Sequence, residues 1–164
     1  MNIITDAMDF ATQAHRGQKR KYTGEPYIVH PFAVAGLVRS VVEAEEAIAA
    51  AFLHDTVEDC GVPFIVLADR FGRFVADLVE MLTDPSRPED GNRAMRKRID
   101  LGHTTQACPV AKTIKLADLI DNTKSIVAFD PKFAAVYLEE KRRLLEVLRE
   151  GDAGLWAIAK ELAA

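Results

Sequence analysis

The stretch Ala47-Ile48-Ala49-Ala50-Ala51-Phe52-Leu53-His54-Asp55-Thr56-Val57-Glu58-Asp59 decides the reading of this chain. Seven apolar residues run without interruption into a histidine and three acids. The run is rich in alanine, the best helix former, so it predicts a buried helix over 44–57. On one continuous helix, positions 54 and 58 stack, as do 55 and 59, gathering four ionisable side chains at one end. A solvated acidic helix end explains Glu58 and Asp59 alone. It does not explain His54-Asp55 on an apolar helix. Unpaired burial of such charges is costly, and neighbouring carboxylates repel. A divalent cation removes both problems.

Outward from this stretch the apolar spacing is helical almost throughout. Helices are expected over 1–17, where Ile4, Met8, Ala11 and Ala14 share a stripe, and over 31–42, opened by Pro31. His30, as the residue before a proline, is expected outside the α region. Further helices are expected over 63–70, 71–82, 92–102, 109–128 and 131–149, with a short last one containing Trp156. The stretch 19–26 reads as a loop, and 83–91, with Pro85 and Pro88, as the main loop. Strand alternation and internal repeats are absent from the sequence. The expectation is an all-α fold of about eight helices, a single domain over 1–164.

The bulk properties narrow the function. A length of 164 residues suits one core, and 49% hydrophobic with 28% charged residues is a globular balance. The formal net charge is −4. That lacks the basic excess of an electrostatic nucleic-acid binder, so no nucleic-acid partner is expected. Two cysteines, Cys60 and Cys108, are too few for a disulfide framework and read as reduced thiols in a cytoplasmic protein. The N-terminal segment, with Asp6 and Asp9, does not read as a signal peptide. No stretch approaches the ~20 apolar residues of a membrane span, so no membrane partner is expected.

One helix cannot complete a metal shell. The stretch 112–122 is a largely apolar helix interrupted by Asp118, with Asn122 one turn later on the same face. Aspartate is a poor mid-helix residue, so a functional reason is expected of Asp118. His30 is the third contributor. Together His30, His54, Asp55 and Asp118 supply two nitrogens and two oxygens, a donor set for Mn, Fe, Co or Zn rather than Ca. Such a centre suits metal-assisted hydrolysis of a phosphoryl group, with Glu58 and Asp59 placed to orient water or move protons. Basic clusters at Lys19-Arg20-Lys21 and at Arg93, Arg96, Lys97 and Arg98 fit a multiply charged anionic substrate, although each can also be a solvated face.

The pattern His30, His54-Asp55, Asp118 resembles the H…HD…D signature of the HD phosphohydrolase superfamily. Several stretches sharpen the resemblance to the hydrolase domain of the Rel/SpoT-type alarmone enzymes, above all the stand-alone small alarmone hydrolases such as the metazoan SpoT homologue. They are Ala14-His15-Arg16-Gly17-Gln18-Lys19-Arg20-Lys21, Gly24-Glu25-Pro26-Tyr27-Ile28-Val29-His30-Pro31, Ala51-Phe52-Leu53-His54-Asp55-Thr56-Val57-Glu58-Asp59 and Ile114-Lys115-Leu116-Ala117-Asp118, with Asn122 following. The resemblance covers about residues 5–150. It implies Mn²⁺-dependent removal of the 3′-pyrophosphate of (p)ppGpp, giving GDP or GTP plus pyrophosphate. It implies His30, His54, Asp55 and Asp118 as ligands and Glu58 and Asp59 as the catalytic pair. Arg20, with Lys21 nearby, corresponds to a nucleobase contact, Asn122 to a ribose or phosphate contact, and Arg93 and Tyr137 to phosphate contacts. After Asp118 the chain reads Leu119-Ile120-Asp121-Asn122-Thr123-Lys124, where the family often carries an arginine. That departure bears on the substrate, not on the metal. Other readings stay open: an HD phosphohydrolase for (p)ppApp, NADPH or a nucleoside monophosphate, or a nucleotide sensor that does not cleave. The intact Glu58-Asp59 pair speaks against a sensor. The expected assembly is a monomer or homodimer.

Overall fold

The computed structural model describes residues 2–164, and all regular structure in it is helical. Among the described residues the only β pairing is an isolated bridge between Lys19 and Pro26. The chain forms two compact units, one ending at Thr83 and one running Asp84–Ala164.

The first unit holds α1 (Ile3–Ala14), α2 (Val29–Arg39), α3 (Glu45–Leu53), α4 (Thr56–Cys60), α5 (Phe64–Phe71) and α6 (Arg73–Leu82). The alanine-rich run behaves as its composition demands: every residue from Ala47 to Leu53 is buried, and α3 packs against α1, α2 and α6. Small side chains on three sides let three helices approach one axis closely. Gly72 takes φ +89° between α5 and α6, a conformation that costs a side-chain-bearing residue, so the chain turns there rather than running on.

The second unit holds a 3₁₀ turn at Pro88–Asp90, then α7 (Arg93–Thr105), α8 (Pro109–Phe129), α9 (Pro131–Val147) and α10 (Ala153–Glu161). The central helix is α8, which packs on α9 and α10, while α7 packs on α9. Aspartate and asparagine caps set the starts: Asn92 Oδ1 accepts from Met95 N at 3.0 Å, and Asp152 Oδ1 from Leu155 N at 2.8 Å. No helix among the described residues is long and apolar enough to cross a membrane.

Two expectations fail for local reasons. The helix expected over 44–57 is two helices, broken at His54-Asp55. There side chains supply donors to the end of α3: His54 Nδ1 meets Ala51 O at 2.8 Å, and Thr56 Oγ1 donates to Leu53 O at 2.7 Å. Side-chain donors that reach main-chain carbonyls compete with helical continuation. His30, expected outside the α region, is the second residue of α2. Pro31 then lies in the first turn, where its missing N–H has no intrahelical acceptor to lose. The entry is a tight turn, with His30 N donating to Tyr27 O at 2.9 Å.

Candidate metal centre

Three of the four expected ligands converge within the first unit. α2 brings His30, and the break after α3 brings His54 and Asp55. One ligating atom from each lies within 4.8 Å of the others. The Nε2 atoms of His54 and His30 stand 3.0 and 3.5 Å from Asp55 Oδ2. Both imidazoles are buried, at 4% and 1% exposure, while the Asp55 carboxylate is partly open.

The surroundings set the chemistry of these atoms. The acceptor facing His54 Nδ1 is a carbonyl, so Nδ1 carries a proton, which leaves Nε2, on the Asp55 side, as the ring atom that can ligate. Tyr27 donates its hydroxyl to Asp55 Oδ2 at 2.7 Å, which orients the carboxylate. Tyr27 also packs against His30, with ring centroids 5.8 Å apart, and His30 against His54 at 5.2 Å. Two imidazole nitrogens aimed at a carboxylate oxygen, with an outer carbonyl acceptor fixing one ring and an outer hydroxyl donor fixing the carboxylate, is the donor set of a divalent transition-metal centre. The residues fit such an ion.

Asp118 lies in the second unit, buried in the middle of α8 at 7% exposure. Its two oxygens are held on its own helix: Asn122 Nδ2 donates to Oδ1 at 2.6 Å, and Lys115 Nζ stands 3.4 Å from Oδ2. Asn122 therefore meets Asp118 one turn away, as its spacing predicts.

Glu58 and Asp59 are exposed on α4. Asp59 Oδ2 accepts from Gln18 Nε2 at 2.9 Å. Cys60 follows, and burial first, then the charges of Asp59 and Asp55, push its thiol up, so it stays protonated at neutral pH. Arg20 lies with its guanidinium 5.9 Å from the Tyr27 ring centre, and exposed Lys21 sits 4.9 Å over Tyr22.

Arg93 and Tyr137 line a cavity of about 780 Å³ in the second unit, together with Lys97, Lys115, Asp118 and Asn122. Arg93 makes a bidentate pair with Glu140, at 2.8 and 2.7 Å, and stacks on Phe133. Burial raises the Tyr137 hydroxyl to about 12, so it is a neutral donor. Lys97 bridges Asp84 and Asp100, at 2.9 and 3.1 Å. Burial works against ionisation of Asp84, but Lys115 and Lys97 outweigh it and hold the carboxyl below its ordinary value.

Tyr27 and Gln18 have no role in the sequence reading, and Lys97 figures there only as part of a basic cluster, not as the partner of Asp84 and Asp100. Tyr27 and Gln18 lie inside the stretches that carry the resemblance, and their partners are 28 and 41 residues away along the chain.

The HD domain family model matches residues 7–140. The chain belongs to the HD-domain family. HD-domain hydrolases are metal-dependent, and the His30, His54 and Asp55 group is where this HD domain can hold an ion. Among similar proteins, the guanosine-3′,5′-bis(diphosphate) 3′-pyrophosphohydrolase MESH1 of Danio rerio is 37% identical over 134 residues, covering 79% of this chain and 72% of that protein. The guanosine-3′,5′-bis(diphosphate) 3′-pyrophosphohydrolase of Aquifex aeolicus is 35% identical over 159 residues, 97% of this chain but 23% of that protein. The chain thus spans about a quarter or less of the long bacterial relatives. Among solved structures, a metazoan ortholog of SpoT, described as hydrolysing ppGpp with a role in starvation responses, matches with a TM-score of 0.87 at 28% identity. That match covers 99% of this chain and 94% of the other.

Proposed function

We propose that this HD domain is a Mn²⁺-dependent guanosine-3′,5′-bis(diphosphate) 3′-pyrophosphohydrolase, releasing pyrophosphate from the 3′ position of (p)ppGpp. The observation that carries the reading is the convergence of His30, His54 and Asp55 in a chain similar over most of its length to 3′-pyrophosphohydrolases of that name. In this reading the two units work as one catalytic domain, which the span of the family match over 7–140 supports. Asp118 is the fourth ligand, supported by its burial and by the donors on both its oxygens.

When bound, the metal supplies a Lewis acid for a phosphoryl oxygen and lowers the pKa of water. The chain's own residues do the rest. Glu58 and Asp59, exposed on α4, orient the attacking water and take its proton. Arg20, held near Tyr27, packs on the base, with Lys21 beside it. Asn122, Arg93 and Tyr137 contact sugar and phosphates. The Arg93–Glu140 pair must open for Arg93 to do so. The working enzyme is cytoplasmic, a monomer or homodimer.

The test is turnover of the purified protein with Mn²⁺ against ppGpp, pppGpp, ppApp and NADPH, with pyrophosphate and phosphate detected separately. Pyrophosphate from ppGpp is expected. Phosphate from NADPH alone moves the protein to another HD phosphohydrolase activity. No product from any of them, with metal bound, overturns the enzyme reading in favour of a sensor.

A further inference from the structure

Asp59 is an exposed carboxylate on a helix of five residues, and a bond to Gln18 holds its side chain. A carboxylate only accepts, so the Gln18 nitrogen must face Asp59, at 2.9 Å. The Gln18 oxygen then faces His15 Nδ1, at 2.7 Å. An amide oxygen only accepts, so Nδ1 carries the proton.

The remaining atoms agree with this assignment. His15 Nε2 is buried without a hydrogen-bond partner, and a second proton there would bury an unpaired N–H. The Nδ1–H form is therefore the one these contacts satisfy. Cys60 Sγ lies 3.2 Å from His15 Nδ1 and 4.0 Å from Gln18 Oε1. The sulfur is at most a weak acceptor that shares the Nδ1 proton with the Gln18 oxygen, while its S–H adds a weak donor to that same oxygen. The chain of bonds thus has one polarity, from His15 through Gln18 to Asp59.

Its base is rigid. His15 is 3% exposed at the end of α1 and packs on Tyr27, with ring centroids 4.8 Å apart. Gly17, at φ +84°, reverses the chain so that Gln18 N reaches His15 O at 3.0 Å. Tyr27 N then donates to Gln18 O at 2.9 Å, fixing the Gln18 backbone against the loop that leads to His30. A buried ring, a half-buried amide and an exposed acid form a graded support.

We propose that Gln18, oriented by the buried Nδ1–H of His15, is a positioning residue that holds the Asp59 carboxylate in its working geometry. This rests on the reading of Asp59 as a catalytic group. The expected phenotype is a turnover defect without a binding or metal defect. Gln18→Met keeps the length and removes both hydrogen bonds. Loss of one hydrogen bond to a charged group predicts a kcat about 10- to 100-fold lower. KM for ppGpp and the Mn²⁺ stoichiometry stay at wild-type values. His15→Leu lowers kcat similarly. His15→Asn places an amide N–H near Nδ1 and retains most of the wild-type kcat. Adding Gln18→Met to Asp59→Asn produces no further fall, because the two residues act as one unit.

Wild-type kcat in Gln18→Met, alongside an inactive Asp59→Asn, overturns the positioning role and leaves the catalytic reading of Asp59 intact. Full activity in Asp59→Asn overturns both. If Gln18→Met fails to fold, the histidine pair decides, and equal kcat in His15→Asn and His15→Leu overturns the proposal.

Discussion

Removing one oxygen tests the metal centre more sharply than removing a ligand. Tyr27→Phe deletes the hydroxyl that donates to Asp55 Oδ2 at 2.7 Å and leaves the ring packed on His15 and His30. The ligands stay in place, so the fold is expected to survive. Outer-sphere partners of metal ligands are worth about 10- to 100-fold in metal affinity. That is about 1.4–2.7 kcal/mol. Because a ligand that binds only the folded state stabilises by RT ln(1 + [L]/Kd), metal-dependent stabilisation shrinks by the same amount at saturating metal. For a chain of this size that is ~3–10 °C of the metal-induced rise in Tm. The assay is a Mn²⁺ titration by calorimetry, paired with melting curves with and without 1 mM metal (on the order of a hundred times a micromolar Kd or more). The variant should melt like the wild type without metal and lag behind it with metal. An unchanged Kd together with an unchanged metal-induced rise would falsify the claim that Tyr27 tunes Asp55 as a ligand.

Three further perturbations separate the other roles. Asp55→Ala should lose bound metal and turnover together, and a variant with full metal content by elemental analysis removes Asp55 from the ligand set. Glu58→Gln should keep the metal and lose about 10²- to 10⁴-fold in kcat, the usual contribution of a general acid–base, so near-normal turnover rules out that role. Lys141 is buried at 1% exposure, donating to Leu119 O and Thr123 Oγ1, and burial lowers its pKa from 10.5 to about 8. Below pH 8 both folded and unfolded chains hold the proton and the cost of the buried charge is full. Between about 8 and 10.5 the unfolded chain binds more protons, so this site makes stability rise with pH, by roughly 3 kcal/mol in all. Urea unfolding of the wild type and Lys141→Met across that range should show the wild type gaining on the variant, and parallel curves refute the assignment.

The helices are legible in the sequence because apolar periodicity is a property of a local window. The candidate metal donors are legible because a histidine and an aspartate at the end of an alanine-rich core helix are costly to bury without an ion or another partner. The pairing of Arg93 with Glu140, 47 residues away, and of Gln18 with Asp59, 41 residues away, leaves no local trace. Nothing local in the sequence singles out Glu140 or Gln18 as the partner. Lys141 shows the same limit from inside the fold: nothing beside it in the sequence marks the Leu119 carbonyl and Thr123 hydroxyl that receive its ammonium, or the nearby Asp118 charge that favours it.

The break at His54-Asp55 explains how adjacent residues can face one candidate metal centre. On a continuous α-helix successive side chains point about 100° apart and do not face each other. Helical spacing therefore pairs 54 with 58 and 55 with 59, and it leaves His54 and Asp55 on different faces. In the structure α3 ends at Leu53, and Asp55 takes φ −97° and ψ −3°, the sparsely populated bridge conformation between helix and strand. That turn brings Asp55 Oδ2 to 3.0 Å from His54 Nε2. The same event starts α4, so Glu58 and Asp59 leave on a new helix that is not bound to the axis of α3. The side chains that accompany the break are His54 itself, on Ala51 O, and Thr56, on Leu53 O. The histidine therefore does two jobs with two nitrogens. Nδ1 helps close the end of the helix, and closing it turns Nε2 toward the neighbouring carboxylate. The dipeptide can offer two donor atoms to one ion because it interrupts its helix, and a histidine–aspartate pair in mid-helix would not supply the same geometry.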